Sequence, residues 1–409
     1  MAVGLGSAAF AAAFRSSLAF VYRTAFGQRD LVEVFRSLSP ASRVILPAVG
    51  ALFVGLLARA SERRKGGGGF AAVMEAALTG KTRLSLRSTT WRAAASWVAL
   101  ATGGSVGREG ALIQFGGSLG ARIAELAELP DSAGRSIIAA GVAAGFAAAY
   151  NTPLAAILFV LEIVTGVFVL EALLPVMIAT IIATAATRAL VGPGPIYGER
   201  AFAIDSPSEL LAHAALGAIV GLGAIVFMRA LAFGERLFEA SRVPQPWRAA
   251  LGGAIVGVIA LGLPEVVGNG FEPLNGMLDG GFPVRLLAVL VIAKVVSTTA
   301  SVSSGSPGGV FTPSLLVGGG LGLLWGHGVA ALTSTSSPVG SYALVGMAAA
   351  SAAMTHAPLM AAVLVFELSG DYAIVLPLVL ATAIATSVAR IFSSESIYAA
   401  EQRRHEAAP

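Results

Sequence analysis

The chain has 409 residues, of which 56% are hydrophobic and only 12% charged, and its mean hydropathy is +0.80. Soluble domains carry roughly 25% charged residues, so a water-soluble globule of this size has too little polar surface to cover itself, and the chain reads as an integral membrane protein. Its 27 basic and 23 acidic residues leave a net charge of +4, with none of the aromatic-interleaved basic stretches that nucleic acid calls for.

The apolar runs are too long and continuous for the ~10-residue alternating strands of a barrel, which leaves helices. Without cysteine there is no disulfide, thiol catalysis or thiolate metal site. The four histidines are scattered without metal-ligand spacing, and neither a metal nor another cofactor is expected.

In chain order, residues 1–43 are expected to form an N-terminal cytoplasmic or membrane-associated helix. Its Ala-rich start lacks the positive leader of a signal peptide and is read as retained. Stretches free of Asp, Glu, Lys and Arg then mark the buried segments: 44–58, 93–107, 136–161, 172–187, 210–228, 249–264, 295–366 and 372–389. The clusters Arg59/Arg63/Arg64/Lys65 and Lys81/Arg83/Arg87/Arg92 mark cytoplasmic loops. Several of the apolar stretches fall short of the ~20 residues of a perpendicular span, and Gly and Pro cut the run 295–366 repeatedly. Short, interrupted segments point to broken helices whose ends meet inside the membrane.

The sequence also repeats. GVAAGFAAAYNTPLAAILFVLE (141–162) matches GMAAASAAMTHAPLMAAVLVFE (346–367) at a constant offset of 205, pairing Gly141 with Gly346, Pro153 with Pro358 and Glu162 with Glu367. Upstream, GREGALIQFGGSLG (107–120) matches GVFTPSLLVGGGLG (309–322) at an offset of 202. The expected organisation is a first transmembrane repeat over 44–195, a polar connection over 196–209, a second repeat over 210–398 and a short tail over 399–409. Repeats of this kind pack about a pseudo-two-fold axis with a ligand site between them.

Gly-rich loops precede helices at Gly66–Phe70, Gly103–Gly110 and Gly305–Pro313. A helix N-terminus offers unpaired N–H groups and about half a positive charge, and several such ends aimed at one spot make an anion site without a fixed cation. Glycine equally serves close helix packing, as the spacing of Gly116 and Gly120 allows, and glycine content alone leaves both readings open. A nucleotide-enzyme reading fails, because Gly80-Lys81-Thr82 has Glu75 where a phosphate loop has glycine. No serine has a histidine at motif spacing either, so no enzyme is expected. Glu109 stands beside Arg108 in an otherwise uncharged stretch. An intramembrane carboxylate is costly and is a functional candidate by default. It can occupy an anion site itself as a tethered competitor, or it can simply pair with Arg108 at the membrane edge.

GREG (107–110), GVFTP (309–313), NTPLAAILFVLE (151–162), HAPLMAAVLVFELSGDY (356–372) and Tyr398 together resemble the CLC family of chloride channels and proton-coupled chloride exchangers, over about residues 45 to 400. The resemblance implies an all-α polytopic fold of two inverted halves with broken, re-entrant helices, assembled as a homodimer in the cell membrane, each subunit with its own anion pathway. It implies that Glu109 is the gate, blocking when ionised and swinging out when protonated. It assigns the anion to amides near Arg108, Glu109 and Gly110, to those of Val310 and Phe311, to the loop Gly67-Gly68-Gly69-Phe70, and to the Tyr398 hydroxyl.

The chain departs from the family pattern at Gly68, Ala71 and Ala111, where a serine, a proline and a proline are usual, so one side-chain ligand of the anion is missing. Ile163 replaces the acid that relays protons in many exchangers, while Glu162 has its counterpart in Glu367 and reads as structural. His356, in the THAPL turn, is expected to make a structural hydrogen bond. With 11 residues after Tyr398, a cytoplasmic CBS pair is not expected. The implied function is chloride transport in exchange for protons, with chloride, protons and lipid as partners. Passive chloride conduction and transport of another small anion stay open.

Overall fold

Lipid is as apolar as leucine, so helices in a bilayer gain little from burying apolar faces and are held by close packing and hydrogen bonds. In the computed structural model this packing is organised by glycine. The structure describes residues 1–62, 69–80, 84–166, 170–192, 194, 196–198, 202, 209–333 and 338–406.

Its helices are α1 (Ala2–Phe26), α2 (Leu31–Ser37), α3 (Pro40–Glu62), α4 (Phe70–Thr79), α5 (Leu86–Ala101), α6 (Glu109–Leu126), α7 (Asp131–Tyr150), α8 (Pro153–Phe159), α9 (Leu170–Val191), α10 (Glu209–Ala240), α11 (Gln245–Gly262), α12 (Phe271–Leu278), α13 (Val284–Ser303), α14 (Phe311–Leu332), α15 (Val339–Thr355), α16 (Pro358–Ser369), α17 (Val375–Phe392) and α18 (Ile397–Glu406). A π turn, Val160–Val164, extends α8. No named strand occurs among the described residues.

Among the described residues, eight helical segments are long and apolar enough to cross a membrane. The broken helices expected from the sequence are present beside them. α16 has 12 residues, a rise of about 18 Å against a hydrocarbon core of ~30 Å, and α4 has 10. At the amino end, α1 packs on α9, α7 and α6 and buries Phe14, Leu18 and Tyr22. The Ala-rich start is thus a packed helix of the bundle, and α1 with α2 is one of the segments long enough to span.

The repeat seen in the sequence is a repeat of contacts. α6 crosses α7 where a Cβ on Gly116 would overlap the carbonyl of Gly141, and a Cβ on Gly141 that of Gly116. α14 crosses α15 at Gly318 and Gly346 in the same reciprocal way. The glycines at 116 and 318, and at 141 and 346, are the pairs matched by the two offsets. Asn151 ends α7 and His356 ends α15, both in left-handed conformation at φ 59° and 58°, which Asn and His tolerate better than most residues. Arg188 Nε donates to Asn151 Oδ1 at 3.0 Å, and an Arg390 nitrogen donates to the His356 carbonyl at 3.4 Å.

The halves also cap each other. Pro153 and Pro358 open α8 and α16, where a missing N–H costs nothing. The next two amides of each helix donate to a carboxylate from the other half. Glu367 accepts from Leu154 N (3.1 Å) and Ala155 N (2.8 Å), and Glu162 accepts from Leu359 N (3.3 Å) and Met360 N (2.6 Å). The chain is an all-α polytopic membrane protein built as an inverted repeat.

Candidate functional site

Two interhelical turns meet at the centre. Gly107 N donates to Gly309 O at 2.6 Å and Gly309 N to Gly107 O at 2.9 Å, so the turns before α6 and α14 pair antiparallel across the axis between the halves. A Cβ on either glycine would overlap the Glu109 carboxylate, whereas at the helix crossings it would meet the backbone of the facing helix. The first turn is tied down through Ser105, whose N–H donates to Ser301 Oγ at 3.0 Å and whose hydroxyl pairs with Thr298 at 3.0 Å.

Glu109 is the first residue of α6 and only 2% exposed. Its side chain reaches across to the N-terminus of α14. Oε1 accepts from Phe311 N at 3.0 Å and Thr312 N at 3.3 Å, and Oε2 accepts from the Thr312 hydroxyl at 2.9 Å. Pro313 follows without an N–H, so the carboxylate takes the two orphan donors that the helix start has to offer. The carboxylate is bonded at a helix N-terminus, and no Arg108–Glu109 ion pair occurs among the described residues.

A cavity of about 530 Å³ leads to this point. Gly69, Phe70, Glu109, Gly110, Val310 and Tyr398 all line it, so most of the residues singled out in the sequence come together. Gly67 and Gly68 lie outside the described residues. Val310 caps α14, and the amides that meet the carboxylate are those of the two residues after it. Arg108 lines a separate cavity of about 180 Å³, with Arg15, Tyr22, Asp30 and Glu272. Neighbours in sequence thus line different cavities, Glu109 the larger and Arg108 the smaller. Apart from Glu109, the described residues that line the larger cavity include three arginines and three glutamates.

A row of rings backs the site. Tyr398 packs on Phe70 at 4.7 Å between centroids and edge-on to Phe159 at 6.0 Å. Phe159 stacks on Phe146 at 4.5 Å, and Phe146 and Tyr150 reach Phe311 at 5.9 and 5.7 Å. Ile163 is on the π turn, half-buried against the apolar core, and is not among the residues lining either cavity.

Sequence reasoning passed over Thr312, Tyr150, Phe146 and Phe159. Thr312 stood inside GVFTP, where a hydroxyl beside a helix start is itself a signal. Tyr150 has Thr355 as its counterpart in the second half, and a position at which the repeat departs from itself is where the site has to be asymmetric.

Residues 49–390 match the profile of the Voltage gated chloride channel family. A "Putative chloride channel protein ClcB-like" of Ralstonia nicotianae is 37% identical over 97% of this chain and 94% of its own length. A "Voltage-gated ClC-type chloride channel ClcB" of Citrobacter koseri is 32% identical over 98% of each. Among solved structures, a slow cyanobacterial Cl−/H+ antiporter superposes with a TM-score of 0.88 over 98% of this chain and 96% of its own, at 23% identity. A CLC-type fluoride/proton antiporter gives 0.78 over 97% and 95%, at 24% identity. With the profile spanning most of the chain and relatives matched over nearly their whole length, the protein belongs to the voltage gated chloride channel (CLC) family.

Proposed function

We propose that this protein moves chloride across the cell membrane through the path from the Tyr398 cavity to the Arg108 cavity, with Glu109 as its gate, and that it exchanges chloride for protons. The observation that carries this reading is the Glu109 carboxylate held by the Phe311 and Thr312 amides. Groups that bind a carboxylate bind a halide on the same terms, so carboxylate and ion compete for one position and the path is closed while the side chain is docked. Amides bind without a full charge, which lets an ion leave again. Gly69, Phe70, the amides of Glu109 and Gly110, Val310 and the Tyr398 hydroxyl would serve the anion further along the same cavity. The homodimer belongs to the proposal too: Leu154, Leu174, Leu359 and Leu376 are exposed on the adjoining helices α8, α9, α16 and α17, forming an apolar face on which a second copy would sit.

A passive chloride pathway is the second reading, favoured by the apolar Ile163 set against the core rather than on the cavity. The two are separated in liposomes holding the purified protein and an outward chloride gradient, with the membrane potential clamped. Exchange predicts that chloride efflux drives protons inward against their gradient. Chloride release with no coupled proton movement establishes the passive reading, and no chloride flux at all removes chloride as substrate.

A further inference from the structure

The Thr312 hydroxyl donates its one hydrogen to Glu109 Oε2 at 2.9 Å, and its oxygen lies 2.8 Å from the hydroxyl of Tyr150. An ionised carboxylate only accepts. The hydrogen of Thr312 is therefore committed to Glu109, and the short contact is completed by Tyr150 donating to Thr312. The chain runs one way, Tyr150 to Thr312 to Glu109. Both hydroxyls are buried, Tyr150 at 5% and Thr312 at 3% exposure, so bulk water does not substitute for either partner.

We propose that Tyr150 is a positioning residue for the gate: it fixes the Thr312 hydroxyl toward Glu109, so that the ionised side chain is held across the path and the protonated one is let go. This rests on the reading of Glu109 as the gate. The asymmetry follows from counting hydrogens. If Glu109 carries a proton on Oε2, three hydroxyl hydrogens, those of Glu109, Thr312 and Tyr150, share only two contacts, and one of them is left without an acceptor in the chain. Hydrogen-bonded hydroxyls polarise one another in a dry site, so the second link strengthens the first. The titratable and charged groups facing this cluster are Tyr398 from α18, Tyr197 from the segment between the halves, and Arg108 on the turn before α6, with Glu272 and Glu401 acting on the two tyrosines from farther out.

The test is chloride efflux from liposomes at neutral and at acidic external pH for wild type, Y150F, T312V, T312S and the combinations Y150F/T312V and Y150F/E109Q. Phenylalanine keeps the ring contacts of Tyr150 and removes only the hydroxyl. Y150F is expected to raise the ratio of neutral to acidic flux by about 3- to 10-fold, the worth of one ordinary hydrogen bond. T312V should raise it at least as much, T312S should restore the closure that T312V loses, and Y150F/T312V should not exceed T312V. Adding Y150F to E109Q should leave the ratio where E109Q put it. A wild-type ratio in Y150F, or an effect of Y150F that persists in the E109Q background, overturns the proposal. E109Q that is itself indistinguishable from wild type overturns the gate reading, and the proposal with it.

Discussion

Gly107 and Gly309, counterparts in the two halves, are hydrogen-bonded to each other in both directions, at 2.6 and 2.9 Å. This bridge sets the starts of α6 and α14 side by side, which is what allows a carboxylate carried by one helix to reach the amides of the other. A side chain on either glycine would occupy the space of the Glu109 carboxylate.

A single methyl group at this bridge should therefore open the path. G309A is expected to displace the Glu109 side chain from α14 and to raise chloride efflux at neutral pH several-fold, toward the flux of E109A. Liposome efflux checks this, and G309A flux at the wild-type level would mean that the carboxylate does not block.

Glu162 and Glu367 make the same kind of contact as Glu109, a carboxylate on two amides of a helix start, but across the interface of α8 and α16. Removing such a cap costs about 1–2 kcal/mol. E162Q and E367Q are expected to lower thermal stability in detergent by similar amounts and to leave the proton-to-chloride ratio unchanged. Loss of coupling in E162Q alone would instead make Glu162 a proton carrier.

The glycine pairs that set the helix crossings have a different signature. A Cβ at Gly116 or Gly318 meets the backbone of the facing helix, and overpacking of this kind costs roughly 1–3 kcal/mol. G116A and G318A should both reduce the yield of monodisperse protein and its unfolding temperature. A normal unfolding temperature in either would show that the crossing relaxes without cost.

Lys294 is wholly buried on α13, and its ammonium donates to the carbonyls of Val266 at 2.9 Å and Gly268 at 2.8 Å. It pins the turn between α11 and α12, where Gly268 and Gly270 run at positive φ. K294M leaves both carbonyls unpaired, at about 1–3 kcal/mol each, set against the gain of removing a buried cation. The expected result is a lower unfolding temperature with chloride flux per folded molecule retained, measured by detergent unfolding and liposome efflux on the same preparation.

The sequence carried what recurs along it. The offsets of 202 and 205 already paired Gly107 with Gly309 and Glu162 with Glu367, and Glu109, in a stretch otherwise uncharged but for Arg108, stood out as a candidate. Partnerships made only in three dimensions were not legible. Tyr150 and Thr312 are 162 positions apart, and a tyrosine at the end of an Ala-rich helix has no periodicity to betray a hydroxyl partner. Nor could the pattern tell which glycines serve packing and which serve the site: Gly116 and Gly309 look alike in sequence and differ only in what faces the missing Cβ. The Ala-rich start was likewise ambiguous, since a membrane-bound flank and a packed helix share one composition, and only its contacts with α9, α7 and α6 distinguish them.

The central claim is that the Glu109 carboxylate and a halide occupy the same position on α14. Crystals of wild type and E109A grown in bromide, with data collected at the bromine absorption edge, test it most directly. The account predicts an anomalous peak in E109A within hydrogen-bonding range of Phe311 N and Thr312 N, and none there in wild type while Glu109 is docked. An E109A structure with bromide elsewhere in the cavity and this position empty would contradict it.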